Sequence, residues 1–419
     1  MEKELFRAII AENQEYIGRI PLVQRPLDLE EYGNYVFVGV RQAGKSYLLY
    51  QRIQQLLANG VEIENIVYIN FDDERLQGMS VTDFDLILQA YHSMYDSQPI
   101  FFFDEIQNVE GWANFARRLA NQKYRVYITG SNAKMLSRDI ETVLGGRYLD
   151  ISVFPYSFSE YLKAVGVLLS KNWQYGRKAN ELQRHFRTYF DWGGFPELVH
   201  FQEKRVWLNS LYNRIFFNDL VVRHKVKNED ALRLCVRRLA ESVKQPCSLN
   251  RLSNLIKATG TSCSPSTVME YVRYLQESCL LISIDNYVSK FVEKETIKKH
   301  YFVDNGLLHL FINNPNTSLL ENLCAITLYK KYGKGLYYYN KNIEVDFYVP
   351  DEGLAVQASY QMSDGETIER EVKALIALHG LYPLKRAMII TYEDEGEIVR
   401  DGLKIEIRPA WKWVVNGEC

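Results

Sequence analysis

Gly39-Val40-Arg41-Gln42-Ala43-Gly44-Lys45-Ser46 decides the reading of this chain. The octet spaces Gly, four residues, Gly, Lys and Ser as a phosphate-binding loop does. Upstream, Tyr35-Val36-Phe37-Val38 is the apolar run of a buried strand. Downstream, Ser46-Tyr47-Leu48-Leu49-Tyr50-Gln51-Arg52-Ile53 is compatible with a helix. Strand, loop, helix is the setting in which backbone N–H groups and the positive end of a helix grip a polyphosphate. Gly39 and Gly44 supply backbone freedom and close approach. The candidate nucleotide-binding residues are therefore Gly39, Val40, Arg41, Gln42, Ala43, Gly44, Lys45 and Ser46. Lys45 is expected to reach the β- and γ-phosphates, and the Ser46 hydroxyl to ligate a metal. The expected ligands are ATP and Mg²⁺.

Two further strand ends agree with that loop. Ile100-Phe101-Phe102-Phe103-Asp104-Glu105 is an apolar strand that closes on two carboxylates. Asp104 is placed to hold the Mg²⁺ shell, a Walker-B role. Glu105 is placed to act as a base toward an attacking water. Val126-Tyr127-Ile128 is another core strand, followed by Thr129-Gly130-Ser131-Asn132. Ser131 and Asn132 are candidates for sensing the γ-phosphate or positioning water, with Asn132 preferred; an ordinary polar turn is the plain alternative. Gly145-Gly146-Arg147 sets an Arg after a flexible turn, so Arg147 is a candidate arginine finger, acting in cis or from a neighbouring subunit, or else a surface Arg. A P-loop kinase is the rival for this region. The adjacent Asp104-Glu105 pair favours water as the acceptor.

The chain has 419 residues, enough for two to four domains, with a net charge of −2 that gives no global attraction to nucleic acid. No apolar run reaches membrane-spanning length. Met1-Glu2-Lys3-Glu4-Leu5-Phe6-Arg7 lacks a signal-peptide core, so a cytoplasmic location is expected. The six cysteines (Cys235, Cys247, Cys263, Cys279, Cys324, Cys419) form no CxxC pair, which suits reduced thiols rather than a zinc site. The motifs offer no reason for the 29 tyrosines.

Strand candidates at 35–38, 66–70, 100–104, 125–129 and 149–153 alternate with helical stretches near 46–58, 83–95, 112–121 and 133–144. This alternation predicts an α/β fold with a parallel sheet covered on both faces and its ligands at the carboxyl ends of the strands. Residues 1–156 are read as that ATP-binding core. Residues 157–219 are read as a helical lid, broken by Asp191-Trp192-Gly193-Gly194-Phe195-Pro196. Residues 220–292 run helix, helix, turn, helix, ribbon, a winged-helix outline. Within it, residues 221–260 hold nine Lys/Arg against three Asp/Glu, so 221–290 is the candidate surface for DNA or a protein partner.

Residues 293–419 return to α/β. A helix with Glu321, a strand with Asp346 and a strand with Gln357 resemble a restriction-endonuclease core. In such a core the second metal-holding acid would stand at Gln357 and a water-activating Lys at Ser359. An amide is a weaker Mg²⁺ ligand than a carboxylate, and Ser supplies no cation. The expected domain is nuclease-like and catalytically inactive.

Taken together, these pieces resemble the prokaryotic AAA-type ATPases that carry a C-terminal domain of unknown function with a restriction-endonuclease-like core. The matching segments include Gly39–Ser46, Asn70-Phe71-Asp72-Asp73-Glu74-Arg75, Phe103-Asp104-Glu105-Ile106-Gln107, Thr129-Gly130-Ser131-Asn132 and Gly146-Arg147. They continue with Phe154-Pro155-Tyr156-Ser157-Phe158-Ser159-Glu160-Tyr161, Gly193-Gly194-Phe195-Pro196, Tyr301-Phe302-Val303-Asp304-Asn305-Gly306-Leu307 and Glu344-Val345-Asp346-Phe347. The resemblance implies ATP binding, hydrolysis and a winged helix between two α/β parts. The alternatives are an ATP-liganded DNA- or protein-binding switch with little turnover, and a DNA-cleaving ATPase.

Overall fold

The computed structural model describes residues 1–136, 142–169, 171–362 and 365–416. The five apolar runs ahead of residue 155 form strands β1 (Tyr35–Gly39), β2 (Ile66–Asn70), β3 (Ile100–Asp104), β4 (Arg125–Gly130) and β5 (Leu149–Val153). They make one sheet in the order β2-β3-β4-β1-β5, and every pairing in it is parallel. Phe101, Phe102 and Phe103 are fully buried, as a central strand covered on both faces requires. The intervening helices Lys45–Ala58, Phe84–His92 and Trp112–Asn121 fall where the periodicity predicts them. An initial helix, Lys3–Tyr16, buries Phe6, Ile9 and Ile10 in the same core as Val36, Ile69 and Phe103. The helix expected at 133–144 begins instead as a 3₁₀ turn, Ala133–Leu136, and 137–141 lie outside the described residues. All three nucleotide motifs sit at the carboxyl edge of the sheet.

Contacts divide the chain into two units, Met1–Phe154 with Glu277–Cys279, and Pro155–Gln276 with Leu280–Cys419. The sequence suggested four parts. At 292 the sheet of the second unit runs on from one expected domain into the next, while none of its strands lies in 157–219. Its strands are β6 (Cys247–Ser248), β7 (Leu281–Asn286), β8 (Ile297–Phe302), β9 (Tyr337–Asn340), β10 (Glu344–Val349), β11 (Leu354–Ala358), β12 (Arg386–Thr391), β13 (Gly396–Arg400) and β14 (Leu403–Pro409). Their order is β13-β14-β12-β11-β10-β9-β7-β8-β6. β7, read as part of a wing, pairs antiparallel with β8 and parallel with β9. The helices Glu229–Glu241, Leu249–Lys257 and Pro265–Glu277 precede that ribbon.

Two glycine motifs interlock within this second unit. Gly193 (φ 78°, ψ −164°) ends the helix Gly176–Trp192 in a backbone region closed to side chains. A Cβ there would lie 1.9 Å from Asp304 Oδ1, and one on Gly306 would lie 2.1 Å from the Trp192 carbonyl. Asp304 accepts from the N–H groups of Gly194 and Gly306, both at 2.8 Å. Burial raises its carboxyl to about 6, against the pull of those N–H groups and that of Leu307. The Asn305 side-chain amide donates to the Phe190 and Leu319 carbonyls at 2.9 and 3.0 Å. The tyrosine surplus also finds a use: the Tyr287 ring packs edge-on against Tyr337, Tyr348 and Tyr382 at 5.1–5.6 Å.

Candidate nucleotide site

The loop is shaped by two left-handed residues, Gln42 (φ 62°) and Gly44 (φ 91°), which turn the chain from β1 into the helix that begins at Lys45. Gly39 is required by contact, since a Cβ would lie 2.0 Å from the Val153 carbonyl of neighbouring β5. Arg25, unremarked in the sequence, braces the loop by donating to the Ala43 carbonyl at 3.0 Å and the Phe154 carbonyl at 2.9 Å.

Lys45 is only 4% exposed. Its ammonium donates to the Gly39 and Val40 carbonyls at 3.2 and 3.3 Å and lies 3.4 Å from Glu105 Oε1. Successive side chains on a strand point to opposite faces, so Asp104 and Glu105 would ordinarily diverge. Glu105 escapes this rule by adopting φ 51°, ψ 42°, a left-handed turn rare outside glycine. The bend lets Asp104 meet Ser46 while Glu105 meets Lys45. Such a conformation stores about 1–3 kcal/mol. Thr129 secures it: its hydroxyl accepts from the Glu105 N–H at 2.9 Å and donates to Asp104.

The two carboxylates are tuned in opposite directions. Burial, and after it the Glu105 charge, push Asp104 above the ordinary range, partly offset by the hydroxyls of Ser46, Thr129 and Tyr68. Tyr68 donates to Asp104 Oδ2 at 2.8 Å. Burial also works against Glu105, but Lys45, Gln107, Arg41 and Ser131 outweigh it and hold its carboxyl below the ordinary value. Glu105 is therefore ionised at neutral pH, as a base must be.

Gln107 links the strand ends. Its amide nitrogen donates to Glu105 Oε2 and, at 3.4 Å, to Ser131 Oγ. Its amide oxygen is buried with no partner. A polar atom left open beside a base, at the strand ends next to a loop whose Gly39 admits no Cβ, fits a phosphate and its water. The residues present thus fit ATP and Mg²⁺: the loop and Lys45 for phosphates, Ser46 and Asp104 for the metal.

The structure brings Glu105, Asp104, Ser46 and Lys45 together, with Ser131 and Asn132 on the same edge of the sheet. Arg147 is elsewhere. Its carbonyl accepts from Asn34 Nδ2 at 3.4 Å, and Asn34 also binds the N–H groups of Leu149 and Val126, each at 2.8 Å. Those residues begin the strands or stand beside their first residues, so Arg147 lies at the amino edge, about 16 Å along β1 from the loop. The side chain is exposed, and its guanidinium returns to the Gly145 carbonyl at 3.1 Å. A finger acting in cis is corrected by this placement; an arginine does not span that length. Tyr68, Thr129 and Gln107 were missed in the sequence, although the last two stand inside quoted motifs and each is within two residues of a predicted site position.

In the second unit, Glu321, Asp346 and Gln357 also come together, around Lys299, a residue with no role in the sequence reading. Among the described residues the five cysteines are free, and no helix is long and apolar enough to cross a membrane. Cys419 lies outside the described residues.

Residues 32–162 match the family model described as an AAA domain, and residues 183–318 match a domain of unknown function, DUF8612. The uncharacterized protein MJ1544 of Methanocaldococcus jannaschii is 31% identical over 98% of this chain and 95% of its own length. An uncharacterized protein of Haemophilus influenzae is 30% identical over 88% of this chain and 92% of its own. Among solved structures, the Walker-type ATPase PABY2304 of Pyrococcus abyssi is similar at 11% identity and a TM-score of 0.40, covering 74% of this chain and 95% of that one.

Proposed function

The chain belongs to the family of AAA-domain, P-loop ATPase-type proteins represented by those archaeal and bacterial relatives, and from that membership we propose that it hydrolyses ATP to ADP and phosphate. The observation that carries the reading is the bend at Glu105, which brings a base and a metal-holding carboxylate to the two ends of the Lys45-Ser46 pair. The loop amides and Lys45 bind the phosphates, and Ser46 and Asp104 hold Mg²⁺, whose charge offsets that developing on the phosphoryl oxygens. Glu105 takes a proton from water, with Gln107 fixing its carboxylate. Asn132 lies on the edge where it can sense the γ-phosphate. Arg147 serves the nucleotide of a neighbouring copy. Turnover then drives movement of the C-terminal part through the order or release of loops that touch phosphate.

Equilibrium dialysis of Lys45→Ala against ATP tests the site. Binding is expected to vanish, and undiminished binding would refute it.

A second reading is favoured by one observation. The Glu105 carboxylate is already engaged by Lys45 and Gln107. In that case ATP is a ligand of a DNA- or protein-binding switch acting through 221–290, which we read as a winged helix. Single-turnover phosphate release separates the two: release above background supports the enzyme, and none, with or without DNA, supports the switch.

A further inference from the structure

Lys299 lies on β8 with no exposed side-chain surface, and its ammonium is 3.0 Å from Asp346 Oδ1, 3.1 Å from Glu321 Oε1 and 3.3 Å from Glu344 Oε1. Tyr301, on the same face of that strand, donates to the same Glu321 oxygen at 2.8 Å. A cavity of 1140 Å³ reaches this cluster, and Glu321, Glu344, Asp346, Gln357 and Ser359 are part of its lining. This is where a restriction-endonuclease-like core would hold a divalent metal.

The residues do not fit one. Mg²⁺ demands oxygen ligands at about 2.0–2.1 Å in near-octahedral array. Here three carboxylates converge instead on an ammonium at hydrogen-bonding distance. Gln357 is turned to the backbone: its amide oxygen accepts from the Asp346 N–H at 2.8 Å, and its nitrogen donates to the Glu344 carbonyl at 3.2 Å. The second Asp346 oxygen accepts from the Ala358 N–H at 3.1 Å. Ser359 Oγ donates to the Gln361 carbonyl at 3.3 Å. Among the described residues no group of three or more His, Cys, Asp or Glu is arranged to hold a metal ion as it stands, so a divalent ion in place of Lys299 would have to draw these oxygens inward by about 1 Å. Burial opposes the charge on Lys299, and Glu321, Asp346 and Glu344 more than reverse it, holding the ammonium above its ordinary range.

We propose that Lys299 is the resident cation of this centre. Its ammonium stands among Glu321, Asp346 and Glu344 where a divalent ion would stand, so the centre is complete without metal and is a latent metal site. The electrostatic reason is direct: the carboxylates of buried Glu321 and part-buried Asp346 persist as charges only when paired, one internal ammonium performs that pairing at 3.1 and 3.0 Å, and Glu344 reaches the same ammonium from the exposed start of β10 at 3.3 Å. A neutral residue of similar length would leave the oxygens converging on an uncompensated space, for which a divalent cation is the matching occupant.

The experiment is a Mn²⁺ titration of the full chain, free of nucleotide, followed by electron paramagnetic resonance and by thermal melting. The wild type is expected to hold no Mn²⁺ more tightly than about 1 mM. Lys299→Met is expected to hold one Mn²⁺ at least about 100-fold more tightly, to melt higher when Mn²⁺ is added, and to lose both effects when Asp346→Asn is added. Lys299→Gln is expected to behave as Lys299→Met, more weakly. A folded Lys299→Met that binds no Mn²⁺ overturns the proposal. So does a wild type that binds one Mn²⁺ at micromolar concentration and loses it in Asp346→Asn. That arm decides the matter even where neither Lys299 variant folds.

Discussion

Glu105→Gln should raise affinity for ATP while slowing its consumption. Glu105 sits 3.4 Å from the Lys45 ammonium, the group expected to meet the β- and γ-phosphates. Two unit charges at that separation attract by about 5 kcal/mol at an effective dielectric of about 20. Desolvation of two largely buried groups offsets most of this, leaving a net of about 1–2 kcal/mol. ATP must overcome that pairing, and it also brings negative phosphates toward a carboxylate. The amide of Gln removes both costs, so the dissociation constant for ATP·Mg should fall roughly 5- to 30-fold. Gln keeps a side-chain oxygen for Gln107 but cannot take a proton, so turnover should drop by roughly 10²–10⁴. Calorimetric titration gives the first quantity and single-turnover phosphate release the second. Turnover within threefold of wild type would mean that Glu105 is not the base. Weaker binding would mean that the Lys45–Glu105 contact positions the lysine rather than restraining it.

Two stability predictions concern the second unit. Gly193→Ala should cost about 3 kcal/mol or more, because φ 78°, ψ −164° excludes a side chain and Asp304, held by the Gly194 N–H at 2.8 Å, cannot retreat; a denaturant midpoint within about 0.5 kcal/mol of wild type would refute the interlock. His300 is buried beside Ser283, with its ring nitrogen 2.8 Å from the hydroxyl, and burial, followed by the Lys298 charge, lowers it from 6.5 to about 4. A depressed folded-state value means that the unfolded chain takes the proton first, so this group's contribution is intact above about pH 6.5 and lost as the pH falls toward 4. The loss is about 3 kcal/mol at about 1.4 kcal/mol per pH unit. The stability gap between wild type and His300→Gln should shrink by that amount between pH 7 and pH 4, and a gap independent of pH would contradict the assignment.

The nucleotide-binding half was legible because its signals are local. A parallel strand buried on both faces must be apolar throughout, so Ile100–Phe103 could hardly be anything else, and the loop glycines announce backbone geometry. Glu105 was found by its place after Asp104, but the left-handed bend that makes it useful was not, since nothing in a Glu codes for φ 51°. Thr129 closes that bend through β4, a neighbour in space rather than in sequence. Arg147 was legible as an Arg after a Gly-Gly turn; which end of the sheet it occupies depends on strand direction, and the side chain of Asn34 records the answer. In the second unit the helices were placed well, but the ribbon partner of β7 was assigned to another domain because β8 lies across a helix, Phe291–Thr296. Lys299 was invisible as a site residue, because a Lys in an amphipathic strand is ordinarily a solvated one. The hairpin of β13 and β14 was a missed opportunity. Asp401 (φ 51°) and Gly402 (φ 79°) form its two-residue turn, and Asp-Gly between alternating residues is a strong hairpin signal.

The contact between Gly194 and Asp304 also carries a schedule. Its two ends are 110 residues apart along the chain. A ribosome adding roughly 5–20 residues each second delivers the glycine turn about 5–20 s before the aspartate that completes it. Through that interval the sequence of the helix ending at Trp192 is complete but Asp304 is still untranslated. The turn at Gly194 is thus made long before the carboxylate that accepts its N–H in the folded second unit.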